Sequence, residues 1–90
     1  MKILASEQVQ AWLIALPPQT KRRVRAALRD LANGHGDLKA LRGELEGFNR
    51  LRVGGLRIVY SQKAGRRIFL EFADTRDVVY ENFLRIIDDR

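Results

Sequence analysis

The sequence predicts an α+β fold: an N-terminal short strand and helical hairpin packed on one face of a small antiparallel β-sheet, with a C-terminal helix. Three observations predict it. Apolar residues recur at helical spacing as far as Leu31. The period changes to two from Phe48, and helical spacing returns from Val78. At 90 residues the chain predicts one domain, 1–90, too small for a multidomain enzyme or a large cofactor-binding fold. An apolar fraction of 46% with 31% charged residues is that of a globular chain and excludes a disordered one.

Each element has its own justification. Lys2–Ala5 is short and mildly apolar, suited to a first strand. Ser6 is a good N-cap, and Val9, Leu13 and Leu16 follow at helical spacing with Trp12 beside them. Pro17-Pro18 stops that helix, and the second proline can open the next, because its fixed φ suits a first helical turn. Val24, Leu28 and Leu31 give the second helix an apolar stripe, with Arg22, Arg25 and Arg29 on its outer side. Asn33-Gly34 ends it. Residues 35–47 read as a glycine-bearing connector pinned to the core by Leu38 and Leu41.

Phe48–Val53, Leu56–Gln62 and Arg67–Ala73 read as strands rich in β-branched and aromatic residues. Gly54-Gly55 fits a tight hairpin between the first two, and Lys63–Arg66 the second. Asp74–Asp77 reads as a turn. Val78–Ile87 then reads as a helix, with Val79, Phe83 and Ile86 or Ile87 on its apolar side. Strand residues alternate between faces. Leu51, Val53, Leu56, Ile58, Tyr60, Ile68, Leu70 and Phe72 are therefore expected on the face beneath the helical hairpin. Phe48, Arg50, Arg52, Arg57, Val59, Phe69 and Glu71 are expected on an opposite, open face.

The charge distribution sharpens the functional question. The chain carries 17 Lys+Arg against 11 Asp+Glu, a formal +6. Residues 20–57 hold ten basic and four acidic residues, so the whole surplus lies in the middle of the chain. Such a field draws polyanions, nucleic acid first and an acidic protein second; the plain alternative is a solvated basic surface. On the open face Arg50, Arg52 and Arg57 converge with little acidic relief, which suggests that an anion is expected there.

Other chemistries are excluded or disfavoured. With no cysteine, there is no disulfide framework, thiolate nucleophile or Cys-based metal site. His35 is the single histidine and reads as a loop residue, so His-based metal or general-base schemes lack partners. No metal or cofactor is expected. No apolar run approaches the ~18 residues of a membrane span. MKILASEQ turns polar too soon for a signal peptide. A cytoplasmic, bacterial protein is the expectation.

The segment LRGELEGFNRLRVGGLRIVY, followed by TRDVVY, resembles the RelE/ParE superfamily of bacterial toxins from type II toxin–antitoxin pairs. The resemblance covers the whole chain loosely and is specific over residues 41–60 and 75–80. It implies a small antiparallel sheet with a helical hairpin on one face and a helix near the C-terminus. For the RelE-like branch it implies metal-independent cleavage of messenger RNA on the ribosome, inhibiting translation. Position by position, Arg50 and Arg52 fall where relatives contact the RNA backbone. Arg57, Arg76 and Tyr80 fall on the catalytic positions. The implied partners are a small acidic antitoxin and mRNA on the ribosome, with operator DNA reached only through the antitoxin complex.

The chain departs from the pattern in two places. Thr75 stands where the family often has histidine, and arginines stand where some relatives have lysines. Arginine stays charged and does not serve as an ordinary general base. Tyr80 is left with two roles, stacking on a base or assisting proton transfer. Arg57 and Arg76 could instead pair with Glu71, Asp74 or Asp77 as surface ion pairs. Two further functions remain open: a ParE-like inhibitor of DNA gyrase, and a catalytically inactive relative that only binds its antitoxin.

Overall fold

Helices pack on both faces of one sheet. The computed structural model describes residues 1–75 and 78–88. In chain order these form β1 (Lys2–Ala5), α1 (Glu7–Ala15), α2 (Pro18–Ala32), β2 (Asp37–Ala40), a 3-10 turn at Gly43–Leu45, β3 (Asn49–Val53), β4 (Leu56–Lys63), β5 (Arg67–Thr75) and α3 (Val78–Asp88). The sheet order is β1-β5-β4-β3-β2. None of these helices is long and apolar enough to cross a membrane.

Local chemistry sets the helix ends where the sequence places them. The Ser6 hydroxyl accepts from the Val9 amide at 3.2 Å and caps α1. Pro18 occupies the first turn of α2, and Asn33 closes it. Val9 and Val24 are fully buried and Leu31 nearly so. With Trp12, Leu13, Leu16 and Leu28 they pack on Leu51, Ile58, Tyr60, Ile68, Leu70 and Ala73, which makes the first core.

The sheet differs from the expected antiparallel one. β1 runs parallel to β5, pairing Lys2 with Arg67 through Ala5 with Leu70, so the sheet is mixed. The helical hairpin lies between β1 and the rest of the sheet in sequence and returns the chain to lay β1 on the far edge. The connector also contains structure. Asp37–Ala40 pairs antiparallel with β3, setting Asp37 opposite Arg52 and Lys39 opposite Arg50. β5 continues through Asp74 and Thr75, which were expected in a turn, while Arg76 and Asp77 lie outside the described residues.

A β-bulge reverses one face assignment. Val59 pairs with Phe72 but Tyr60 with Leu70, so Glu71 is the extra residue. Phe72 therefore turns away from the helical hairpin, and Ala73 takes the position expected for it. Helix α1 satisfies the disturbed backbone. The Ser6 hydroxyl donates to the Glu71 carbonyl at 2.8 Å. The Gln8 amide donates to the Ala73 carbonyl at 2.7 Å and accepts from the Ala73 amide at 2.9 Å, in place of a neighbouring strand.

The opposite face is not open either. Val79 and Phe83 of α3 are fully buried against Val59, Phe72 and Leu45, with Phe48, Leu84 and Ile87 partly buried around them. Phe83 meets Phe48 edge-on at 5.0 Å and lies over Phe72 at 6.2 Å. Ile87 rather than Ile86 faces this second core. An apolar face on a short helix must be buried somewhere, and Phe48, Val59 and Phe72 are the apolar patch available to it. Of the charged residues on that face, Asp37, Lys39 and Arg52 stay exposed.

Candidate functional site

Strand register assembles the charged rows. Cross-strand partners share a face, so Asp37, Arg52, Arg57 and Asp74 form one row across β2, β3, β4 and β5. The next row is Lys39, Arg50, Val59 and Phe72. Arg50, Arg52 and Arg57 thus share the expected face, joined by a fourth cation, Lys39.

Acidic relief is present, contrary to the sequence reading, and it comes from β2. The Arg52 Nε donates to Asp37 Oδ2 at 2.6 Å, and Arg50 Nη2 donates to Asp37 Oδ1 at 3.4 Å. One carboxylate therefore bridges two guanidinium groups. Arg52 and Asp37 are both well exposed, whereas the Arg50 side chain is only 11% exposed and its buried Nε has no hydrogen-bond partner among the described residues. The bridge to Arg52 occupies its Nε and leaves both terminal amino groups able to donate to another anion.

Arg57 is held differently. Its Nη1 donates to the carbonyls of Gly54 at 3.0 Å and Leu56 at 3.1 Å, folding the guanidinium over its own hairpin. It forms no ion pair with its row neighbour Asp74. That carboxylate accepts instead from the Thr75 amide at 2.8 Å and from the Asn82 side chain at 3.0 Å, tying α3 to the end of β5. Glu71 accepts from the Ser61 hydroxyl at 2.7 Å and lies 4.0 Å from Lys63. Lys39, Arg50, Arg52 and Arg57 against Asp37 and Asp74 leave an excess of two positive charges over the two rows.

Tyr80 sits on α3 and is partly buried at the edge of the second core. It lines an open groove of about 590 Å³ together with Lys39, Ala40, Leu41, Arg42 and Leu45. An adjoining groove of about 430 Å³ continues from Ala40–Arg42 to Glu46, Phe48 and Asn49. The described lining of the first groove includes none of Arg50, Arg52 and Arg57. Tyr80 is therefore grouped with Lys39 and Arg42, and Lys39 links it to the arginine rows through its pairing with Arg50. Arg76 lies outside the described residues.

Tyr60 is a different kind of phenol. Burial pushes its pKa up, and the nearby Arg50 guanidinium pulls it part of the way back. It stays protonated at neutral pH. Among the described residues no group of three or more His, Cys, Asp or Glu side chains is placed to hold a metal ion.

Three residues of this region escaped the sequence reading: Asp37, Lys39 and Arg42. The signal for the first two was the alternation of Asp37, Leu38 and Lys39, with one inward apolar residue between two outward charges.

No protein-family model and no curated protein matches the chain. Solved structures do resemble it. The toxin of a RelB–RelE antitoxin–toxin complex from Methanococcus jannaschii aligns at TM-score 0.69 and 21% identity, over 89% of this chain and 98% of that one. A RelE–RelB complex from Pyrococcus horikoshii gives 0.68 and 24%, over 84% and 94%. A YoeB–YefM complex from Staphylococcus aureus gives 0.67 and 16%, over 84% and 97%. The chain has a RelE-like toxin fold.

Proposed function

We propose that residues 1–90 act as one domain, the toxin of a type II toxin–antitoxin pair, which cleaves messenger RNA on the ribosome without a metal ion. The observation that carries this reading is the side-by-side placement of Lys39, Arg50, Arg52 and Arg57 on one face of a RelE-like fold. The similar structures from Methanococcus, Pyrococcus and Staphylococcus are toxin–antitoxin complexes, which supports an antitoxin as partner here.

In this reading the 2′-hydroxyl of the substrate attacks the adjacent phosphorus. The new O2′–P bond forms as the P–O5′ bond breaks, and the proton lost from O2′ is balanced by one delivered to O5′. Arg50 and Arg52 hold the RNA backbone. Arg57, with Arg76, takes the charge that builds on the phosphoryl oxygens, since a planar guanidinium can engage two oxygens at once. Tyr80 presents a ring to a base, with Lys39 and Arg42 flanking it. Two arginines already bridged by Asp37 and no lysine on β3 make a weak nuclease alone, so the ribosome supplies much of the substrate alignment.

The test is induced expression. Wild-type protein arrests growth. Arg57→Ala abolishes arrest while the protein stays folded, because among the described residues the Arg57 guanidinium bonds only two carbonyls of its own hairpin. Arrest that persists in Arg57→Ala removes this residue from the reaction. If arrest occurs with loss of gyrase supercoiling in vitro, the ParE-like reading replaces this one.

One observation favours a second reading. Asp37 occupies the arginine pair where a phosphate would sit. A catalytically inactive relative, using this face only to hold an antitoxin, accounts for that bridge as well. Induction of the intact gene without growth arrest selects it.

A further inference from the structure

A second basic surface lies on the other side of the sheet. Helix α2 carries Lys21, Arg22, Arg23, Arg25 and Arg29 against one acid, Asp30. Lys21 is engaged, donating to the Ile14 carbonyl at 3.2 Å. Arg22, Arg25 and Arg29 are exposed, and among the described residues none of them forms an ion pair. They lie at i, i+3 and i+7, on one stripe opposite the buried Val24 and Leu31. At ~1.5 Å of rise per residue the stripe is roughly 10 Å long, close to three steps of a nucleic-acid strand at ~3.4 Å each.

A different arginine of α2, Arg23, reaches the β3–β4 hairpin. Gly54 has φ +59, and a side chain there would come within 2.8 Å of the Arg23 guanidinium. Arg23 therefore lies against one side of the turn, while Arg57 donates to the Gly54 carbonyl. Gly54 serves both: it accepts a left-handed backbone and leaves room for an arginine. Arg23 thus stands between the α2 stripe and the cations of β3 and β4.

The chemistry of the stripe selects its partner. Of the well-exposed large apolar side chains, Leu4, Ile14, Val78 and Ile86 lie off α2, and Met1 borders the stripe at its Arg25–Arg29 end. An acidic peptide docks through apolar or aromatic anchors with charge at the rim. A phosphate backbone needs only cations at intervals.

We propose that the outer face of α2, through Arg22, Arg25 and Arg29, binds the sugar-phosphate backbone of structured RNA without regard to sequence, and that Arg23 joins this surface to the sheet face. This surface is separate from the proposed cleavage site and does not rest on it. Binding here can hold whether or not the sheet face cleaves RNA.

The experiment measures affinity of the full chain for a fluorescent RNA hairpin by anisotropy, from 50 to 200 mM salt. The variant is Arg22→Gln, Arg25→Gln and Arg29→Gln together, since glutamine keeps helix propensity. Three lost phosphate contacts lower the slope of log affinity against log salt by about 2.7, at about 0.9 per contact. Over that fourfold salt range the wild type then loses about 40-fold more affinity than the variant. The triple lysine variant keeps the wild-type slope. Arg57→Ala changes the slope by about 1 at most. A glutamine variant with the wild-type slope and an unchanged melting midpoint overturns the proposal. So does a variant that binds the hairpin normally but loses binding to a poly-glutamate peptide, which assigns the stripe to an acidic protein instead.

Discussion

Replacing Phe83 with alanine tests how the C-terminal helix is attached to the sheet. Phe83 is fully buried, edge-on to Phe48 and stacked over Phe72, at the centre of a core that also holds Val59 and Val79. Truncating a buried phenylalanine costs ~3–5 kcal/mol, and two aromatic partners place Phe83 in the upper half of that range. A chain of this length has a total stability of roughly 5–13 kcal/mol, so the loss is a large fraction of it. With a urea m-value of ~1.5 kcal/mol/M, the midpoint falls by about 2.7–3.3 M. Trp12 belongs to the first core, under the helical hairpin, so its fluorescence reports whether that side unfolds together with α3. Ile86→Ala is the control: Ile86 is 40% exposed, and its loss should move the midpoint by no more than about 0.3 M. Phe83→Ala also releases Tyr80 from its groove, so any activity that depends on Tyr80 falls with it. A midpoint shift for Phe83→Ala as small as that for Ile86→Ala would refute the two-core account.

Two further perturbations follow from the site. Asp37→Asn removes a carboxylate bridging two arginines that are otherwise available to an anion. Loss of the exposed Asp37–Arg52 pair costs no more than ~1 kcal/mol, and loss of the longer contact to the mostly buried Arg50 adds to that. Affinity for single-stranded RNA rises about threefold, from ~0.7 kcal/mol for one charge at ~6 Å in a water-like dielectric. Weaker binding, read by anisotropy at fixed salt, would mean that Asp37 orients the arginines rather than competing for them. Tyr60→Phe reads the buried phenol. Because its native pKa is raised, Tyr60 adds stability below the unfolded value of ~10, and this is lost as the unfolded chain ionises above it. Urea midpoints from pH 7 to 11 should decline less steeply above pH 10 in Tyr60→Phe than in the wild type. Equal alkaline slopes would contradict the burial of the phenol.

The legible parts of the chain are those written in local chemistry. Ser6, Pro17-Pro18 and Asn33-Gly34 each act on backbone groups within a few residues, so they mark helix ends without help from the rest of the fold. Leu51, Ile58 and Leu70 alternate cleanly and place themselves on the hairpin face. The parts that escaped depend on distant partners. Asp37–Ala40 has a single inward apolar residue, Leu38, and becomes a strand only because β3 lies beside it. Missing that strand hid Asp37 and Lys39 from the site and made the arginine face look short of carboxylates.

Phe72 was misplaced for a related reason. Phe69, Leu70, Glu71 and Phe72 lie on a strand buried on both sides, where alternation carries no face information. The bulge at Glu71 then shifts the parity. The parallel β1–β5 pairing is likewise settled by where the helical hairpin leaves the chain, not by Lys2–Ala5 themselves. Arg50, Arg52 and Arg57 do share a face as their spacing implies, because strand parity is undisturbed on β3 and on β4 up to Val59.

The central claim is that the cations gathered on the sheet face act on RNA phosphates during translation. The most direct measurement maps the 5′ ends of cellular messages after brief induction of the wild-type chain and of Arg57→Ala. The account predicts new ends inside translated codons for the wild type, absent from untranslated messages and lost in Arg57→Ala. New ends that persist unchanged in Arg57→Ala, or growth arrest with no new ends at all, would contradict it.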